Sequence, residues 1–276
     1  MRDAELELEA ELEDLMARLD ESDLEAEAEM FSPAATGPIF DVACAGCAAG
    51  QCVACPDGQC APCPAHDGRC RALLFQAVVE GIKLARNAAD KIDAAISVPP
   101  ASRNPAAKET ARLFRAFFCH DPSFFISWAG GPSGASIAVR FRAVADELNG
   151  GRRIQFICRP ARVLCGAADE TCCDPADNAF TMATLAGRES TIFLCPPFWT
   201  EQHLPGLPDE DRRGGTIVHE MLHMLFGHGP ESGQHGIHGI LDSDPKRANA
   251  HCYKAFLLRV NGFGQDPVAS GGCGPC

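Results

Sequence analysis

The residues best suited to chemistry in this chain are two histidines and a glutamate in the sequence His219-Glu220-Met221-Leu222-His223. On a helix, residues four apart lie one turn apart on the same face, so both imidazoles can bind one metal ion. Glu220 lies about 100° further round the helix, where it can take a proton from water. Zinc at such a site lowers the pKa of water to about 7 and polarises a carbonyl group. The pattern therefore predicts a hydrolytic zinc site.

A catalytic zinc ion usually has three protein ligands and keeps a fourth position for water. The residues after His223 that could complete the set are Asp242, His251, His228 and His238. Asp242 also suits the start of the last helix, His251 suits a helix interior, and the other two suit a glycine-rich loop. The spacing alone therefore leaves the third ligand open.

The segments around this motif show helical and extended patterns. Apolar residues at helical spacing predict helices over residues 71–98, 105–118, 134–148, 211–226 and 245–260. Asn104 and Pro105 suit the N-cap and the first turn of the second helix. Short apolar runs predict strands over residues 154–158, 180–185 and 191–194. This order predicts an α+β domain that is mostly helical with a small sheet.

The N-terminal 40 residues differ in composition from the rest. Residues 1–30 contain 13 acidic residues and two arginines, a net charge of −11, so they carry most of the net charge of −13 of the whole chain. They predict an acidic helical arm with a linker to residue 40. The arm is either solvated and partly disordered, or it acts as an inhibitory or partner-docking segment. No basic patch with interleaved aromatic residues occurs, so we expect no nucleic-acid partner. No apolar run approaches 18 residues, so we expect no membrane span.

Residues 41–72 form a cysteine-rich segment. Seven of the 16 cysteines lie between Cys44 and Cys70, and six of these form three CxxC pairs spaced eight residues apart. Such pairs suit tetrahedral zinc or disulfides, and the segment has too few apolar residues to fold without cross-links. An unstructured linker and a redox role are the alternatives. A catalytic domain over residues 73–265 and a tail rich in Gly and Cys over residues 266–276 complete the predicted organisation.

Three stretches resemble the aspzincin family of zinc metalloendopeptidases, which contains deuterolysins and peptidyl-lysine metalloendopeptidases. They are residues 191–199 (TIFLCPPFW), 215–223 (GTIVHEMLH) and 249–256 (NAHCYKAF). Family members show an apolar strand ending in Cys-x-x-Phe-(Phe/Trp), a Gly-Thr-apolar-Val-His-Glu-x-x-His helix, and a later helix beginning Asn-Ala-Asp. The resemblance covers roughly residues 110–260. It implies a zincin-like catalytic domain and a disulfide between Cys172 or Cys173 and Cys195.

The resemblance also implies roles for individual residues, although this chain departs from the family pattern. The family's Gly-Thr-x-Asp-x-x-Tyr-Gly, which supplies the third zinc ligand and a transition-state tyrosine, is absent after His223. The aspartate precedent favours Asp242 as the third ligand, with His251 as the chief rival. Tyr253, the single tyrosine of the chain, or one of the residues that compete for the third ligand position is predicted to donate to the oxyanion. Lysine-specific members carry acids at the positions of His251 and Lys254, so these two residues are predicted to bind substrate.

These features together predict a zinc-dependent metalloendopeptidase that cleaves protein or peptide substrates. Zn²⁺ is the expected cofactor, His219, His223 and Asp242 its ligands, and Glu220 the general base and acid. The alternative is a catalytically degenerate zinc-binding protein that docks partners through its CxxC array and acidic arm. Residues 1–14 lack the basic and apolar regions of a signal peptide, whereas the cysteine content favours secretion or export by a non-classical route.

Overall fold

The structure is a computed structural model, and part of the chain can be described. The described residues are 41–44, 47–48, 51–52, 68–126, 131–151, 154–158, 173, 177–181, 191–226 and 249–264. All of them belong to one compact unit, Pro38–Cys276. The acidic arm, most of the CxxC repeat, the C-terminal tail and the segment that carries Asp242, His228 and His238 lie outside the described residues.

Helices account for most of the described chain. In chain order they are α1 (Gly68–Ile96), α2 (Pro105–Phe118), α3 (Ser133–Asp146), α4 (Pro196–Trp199), α5 (Asp209–Phe226) and α6 (Ala250–Val260). A 3-10 turn at Pro100–Ser102 separates α1 from α2, and a π-helical turn at Glu147–Gly151 follows α3. None of the described helices is long and apolar enough to cross a membrane.

The strands are short. They are β1 (Asp41–Cys44), β2 (Cys47–Ala48), β3 (Gln51–Cys52), β4 (Phe125–Ile126), β5 (Gly131–Pro132), β6 (Gln155–Cys158), β7 (Ala179–Phe180) and β8 (Thr191–Leu194). One sheet has the order β1-β6-β8-β7, in which β1, β6 and β8 run parallel and β7 runs antiparallel to β8. Two further pairs, β2–β3 and β4–β5, are antiparallel. The prediction of a mostly helical α+β protein with a small sheet is confirmed.

Strand β1 belongs to this sheet, although the sequence assigns it to a separate cysteine-rich segment. Asp41 lies opposite Gln155, and Cys44 lies opposite Cys158, in a parallel register with β6. A parallel pair needs a long crossover connection, which helices α1 to α3 supply between the two strands. The start of the cysteine-rich segment therefore extends the sheet of the predicted catalytic domain.

Local sequence signals fix the starts of two helices. The Asn104 side chain accepts a hydrogen bond of 2.8 Å from the backbone N–H of Ala107 and caps α2, as the sequence predicts. The last helix begins at Ala250, so the predicted start at Pro245 is wrong. Asn249 has an extended backbone, and its side chain caps the helix by accepting from the backbone N–H of His251 at 2.8 Å.

Helices α1 and α5 approach each other closely at two glycines, Gly81 and Gly214. A Cβ atom added at Gly214 would lie 2.9 Å from the backbone nitrogen of Gly81 and 3.2 Å from the backbone carbonyl carbon of Glu80. Backbone atoms of a packed helix cannot move aside as a side-chain tip can. Glycine at position 214 therefore sets the spacing between α5 and α1.

We expect Gly214→Ala to destabilise the protein by about 2–3 kcal/mol, because overpacking outweighs the roughly 1 kcal/mol by which alanine favours a helix. Chemical denaturation followed by circular dichroism measures this change. Gly215→Ala is the matched control, because its nearest neighbours are the side-chain tip of Leu258, 3.3 Å from the added Cβ, and other side-chain atoms. A Gly214→Ala variant as stable as the control would show that the helix contact is not tight.

Two carboxyl groups also meet where α1 and α5 pack. Asp211 is 5% exposed, and burial raises its pKa to about 7, with the hydrogen bond that the protonated Asp211 carboxyl donates to the Glu80 carboxylate and the charges of Glu80 and Glu210 adding to the effect. The Lys83 ammonium, which donates to Glu80 Oε2 at 3.1 Å, acts in the opposite direction on this pKa. Asp211 therefore holds a proton in the folded protein at a pH where the unfolded chain has lost it.

A raised folded-state pKa stabilises the protein at low pH, and this stability is lost as the pH rises through about 7. We expect the free energy of unfolding to fall by about 1–2 kcal/mol between pH 5 and pH 8. This fall is smaller than the pKa shift alone implies, because solvent screens the charges of Asp211 and Glu80. Denaturant titrations at both pH values should show that Asp211→Asn removes this fall. Asp146→Asn, at a side chain 74% exposed, should leave it unchanged. An equal slope in all three proteins would contradict the assignment.

Candidate metal centre

The motif lies on α5, a helix that is buried over most of its length. Every residue over 211–222 is buried, and three acidic residues occupy the first turn, where the helix dipole favours negative charge. Arg212 is fully buried, and it donates to Asp209 Oδ1 at 2.9 Å and to Asn178 Oδ1 at 2.7 Å. These bonds compensate the cost of burying its charge and fix the start of the helix.

The rings of His219 and His223 meet on one face of α5. Their centroids are 4.7 Å apart, and the two Nε2 atoms are 3.1 Å apart. His219 is 5% exposed, whereas His223 is half-buried, so the pair lies between the protein interior and solvent. The helical spacing of four residues therefore produces the convergence of nitrogens that the sequence predicts.

The separation of the two nitrogens suits a shared zinc ion. Two nitrogens that are each about 2.0–2.1 Å from a tetrahedral zinc lie about 3.3 Å apart. The 3.1 Å between the Nε2 atoms of His219 and His223 is close to that value. The same distance also suits a hydrogen bond between two neutral imidazoles, in which one nitrogen carries the proton. The geometry fits zinc, and metal analysis distinguishes the two arrangements.

Glu220 lies beside this pair, with its side chain 3% exposed. Its Oε1 atom is 4.0 Å from His219 Nε2, and its Oε2 atom accepts a hydrogen bond of 2.9 Å from the hydroxyl of Thr181. The carboxylate therefore lies next to the histidine nitrogens, as its position in the motif predicts. Oε1 therefore faces the histidines, and Oε2 is hydrogen-bonded to Thr181, the residue after β7.

Helix α6 brings His251 against the same site. The ring of His251 lies 4.8 Å from the ring of His219, at an interplanar angle of 44°, and the residue is 6% exposed. Within the described ranges, however, no group of three His, Cys, Asp or Glu side chains is arranged to hold a metal ion. Asp242, the predicted third ligand, lies outside those ranges.

The other two predicted site residues on α6 are buried. Lys254 is 4% exposed, and its ammonium donates to the hydroxyl of Thr216 at 3.1 Å, one turn before Glu220 on α5. Tyr253 is fully buried, and its hydroxyl accepts a hydrogen bond of 2.6 Å from Arg140.

Helix geometry separates Tyr253 from the histidines. Tyr253 follows His251 by two residues, which is about 200° round α6. Its ring packs at 5.2 Å from Phe118 and at 5.5 Å from Phe141, on α2 and α3. The oxyanion role of Tyr253 stays a prediction. The substrate-binding role of His251 and Lys254 stays a prediction.

One implication of the resemblance is confirmed by the structure. A disulfide joins Cys173 to Cys195, the residue that follows β8. The backbone N–H of Cys195 also donates to the carbonyl oxygen of Asn178 at 2.9 Å. The disulfide and this hydrogen bond therefore hold the chain that precedes β7 against the end of β8.

The sequence did not identify Thr181, Arg212 or Asn178 as part of the site. None of them belongs to a recognised motif, and Thr181 is 39 residues from the carboxylate that it contacts. The neighbours of Arg212 at the start of α5 are charged residues and glycines (DEDRRGG), so no sequence signal indicated that its side chain is buried.

Comparison of the chain with protein-family models and with curated proteins finds no match. The likeness to aspzincins therefore remains a prediction based on the three sequence motifs.

Proposed function

We propose that this protein is a zinc-dependent metalloendopeptidase with a zincin-like catalytic domain. The observation that carries the proposal is the convergence of the His219 and His223 Nε2 atoms at 3.1 Å, with the Glu220 carboxylate beside them. Two imidazoles and a neighbouring carboxylate on one helix are the combination that HExxH peptidases use. The Cys173–Cys195 disulfide, which the resemblance implies, adds support.

Each side chain has a separate role in this proposal. His219 and His223 would hold a zinc ion, which would supply Lewis acidity to the substrate carbonyl. Glu220 accepts a proton from the attacking water at Oε1, the oxygen nearer the histidines, and later delivers it to the leaving amine. His251 packs against the His219 ring and limits its rotation. Asp242 is proposed as the third ligand.

Burial of the site favours this chemistry. Glu220 and His219 are both nearly inaccessible, so charge interactions there are stronger than in water. His223 is half-buried, so a peptide would approach the site from the side on which this residue is exposed. A protein or peptide is the substrate class that this site would bind.

The test is zinc analysis combined with digestion of a peptide library, using the full-length protein. We expect about one tightly bound zinc ion at this site, cleavage at internal peptide bonds, loss of cleavage on chelation and recovery with added Zn²⁺. Since the CxxC repeat can also bind zinc, His223→Ala identifies the fraction of zinc that belongs to this site. Zinc binding without cleavage of any peptide would contradict the enzyme and favour a degenerate zinc-binding protein.

A further inference from the structure

We propose that Thr181 is a positioning residue for Glu220, an inference that rests on the proposed function. Thr181 follows the edge strand β7, and its hydroxyl donates to Glu220 Oε2 at 2.9 Å. The same hydroxyl lies 3.4 Å from the backbone carbonyl oxygen of Glu220. The contact joins the sheet to the motif helix at the carboxylate that the mechanism uses.

The hydrogen bond gives the two carboxylate oxygens different surroundings. With Thr181 at Oε2, rotation of the carboxylate is restrained, and Oε1 stays 4.0 Å from His219 Nε2. A general base must keep its accepting oxygen within hydrogen-bond reach of the proton that it removes. A base that is already oriented loses no rotational freedom at the moment of reaction. Thr181 therefore directs Oε1 towards the water.

Thr181 can do this because its own position is fixed. Asn178, three residues earlier, accepts a hydrogen bond of 2.7 Å from Arg212, and its backbone carbonyl accepts from Cys195 at 2.9 Å. Within β7, the Phe180 ring stacks on Phe193 of β8 with centroids 4.8 Å apart. These contacts hold the edge strand rigidly against its neighbour.

Both ends of this short segment are attached to the same helix. Arg212 and Glu220 are eight residues apart on α5, a rise of about 12 Å. Asn178 and Thr181 are three residues apart on either side of the two-residue strand β7, a span of at most about 10 Å. The two lengths match closely enough for the segment 178–181 to lie along α5 and contact it at both positions. Helix α5 therefore holds the segment 178–181 in place through Arg212, and Thr181 of that segment in turn orients Glu220 of the same helix.

The test compares Thr181→Val, which keeps the shape and removes the hydroxyl, with Thr181→Ser, which keeps the hydroxyl. We expect Thr181→Val to lose about 10–100-fold in kcat, by analogy with residues that orient a metal site, with KM changed by less than about 3-fold. Thr181→Ser should stay within about 3-fold of wild type. Zinc content should be unchanged in both, because Thr181 contacts the base and not the histidines. Thr110→Val is the control, since it removes a buried hydroxyl that bonds within α2.

A second measurement does not depend on activity. In metal-free protein, Thr181→Val should lower the unfolding midpoint by about 2–4 °C when Glu220 is present and should have little effect in a Glu220→Ala background. Equal effects in both backgrounds, or a Thr181→Val enzyme with wild-type kcat, would overturn the inference while leaving the proposed peptidase intact. An inactive wild-type protein would instead overturn the proposed function and, with it, the catalytic role of Thr181.

Discussion

Replacing Glu220 with glutamine should abolish most peptide cleavage while leaving zinc bound. A carboxamide cannot accept a proton from water, and loss of a general base typically lowers kcat by about 10²–10⁴-fold. The fold should be preserved, because the carboxamide oxygen can still accept the hydrogen bond that Thr181 donates at 2.9 Å. The measurement is kcat on a peptide identified from the library digest, together with zinc stoichiometry.

Glu210→Gln is the matched control for this experiment. It makes the same chemical change on the same helix, at an exposed position in the first turn of α5. Its activity should stay within about 2-fold of wild type, because an exposed surface substitution rarely alters a distant site. Near-normal turnover in Glu220→Gln would exclude this glutamate as the base.

Local rules predicted the start of α2 correctly and the start of α6 incorrectly. Asn104 and Pro105 predicted the start of α2 because a side-chain cap and a fixed φ angle act within one turn, and the structure shows that cap. The same rules misplaced the start of α6, because Pro245 and Asn249 both suit a helix start. The extended backbone and the capping bond of Asn249 show that it takes this role.

Long-range pairing was beyond the sequence. The sequence analysis assigned strand β1 to the cysteine-rich segment, because its four residues, DVAC, contain no pattern that predicts which strand they pair with. Its pairing with β6 joins residues more than 100 positions apart in the chain. Register of this kind follows from burial of one sheet face in three dimensions, which a local pattern does not encode.

The candidate site shows the same division. The i,i+4 spacing of His219 and His223 was enough to predict that their nitrogens meet, because helix geometry alone determines it. The contact between His251 and His219 required the packing of α6 on α5. Ligand type and position made His251 an alternative third ligand in the sequence analysis. The contact between its ring and that of His219 could not be predicted from the sequence.

Replacing Asp242 with alanine should lower zinc affinity by several orders of magnitude, as should His223→Ala. His219 and His223 converge at 3.1 Å, and Asp242 is proposed as the third ligand because the family that the motifs resemble uses an aspartate there. Catalytic zinc sites usually need three protein ligands. His251→Ala should lose only about 10–100-fold, because its ring orients His219. Competition with a zinc chelator of known affinity measures each value.

The other acids of the same segment serve as controls. Glu231→Ala and Asp244→Ala remove a carboxylate near Asp242 in sequence, and zinc affinity should stay within about 3-fold of wild type because neither is proposed to bind the ion. If Asp242→Ala binds zinc as tightly as these two variants, Asp242 is not a ligand. If His251→Ala instead loses as much affinity as His223→Ala, then His251 completes the site. In that case His251, whose ring centroid is 4.8 Å from that of His219, would bind the same ion as His219.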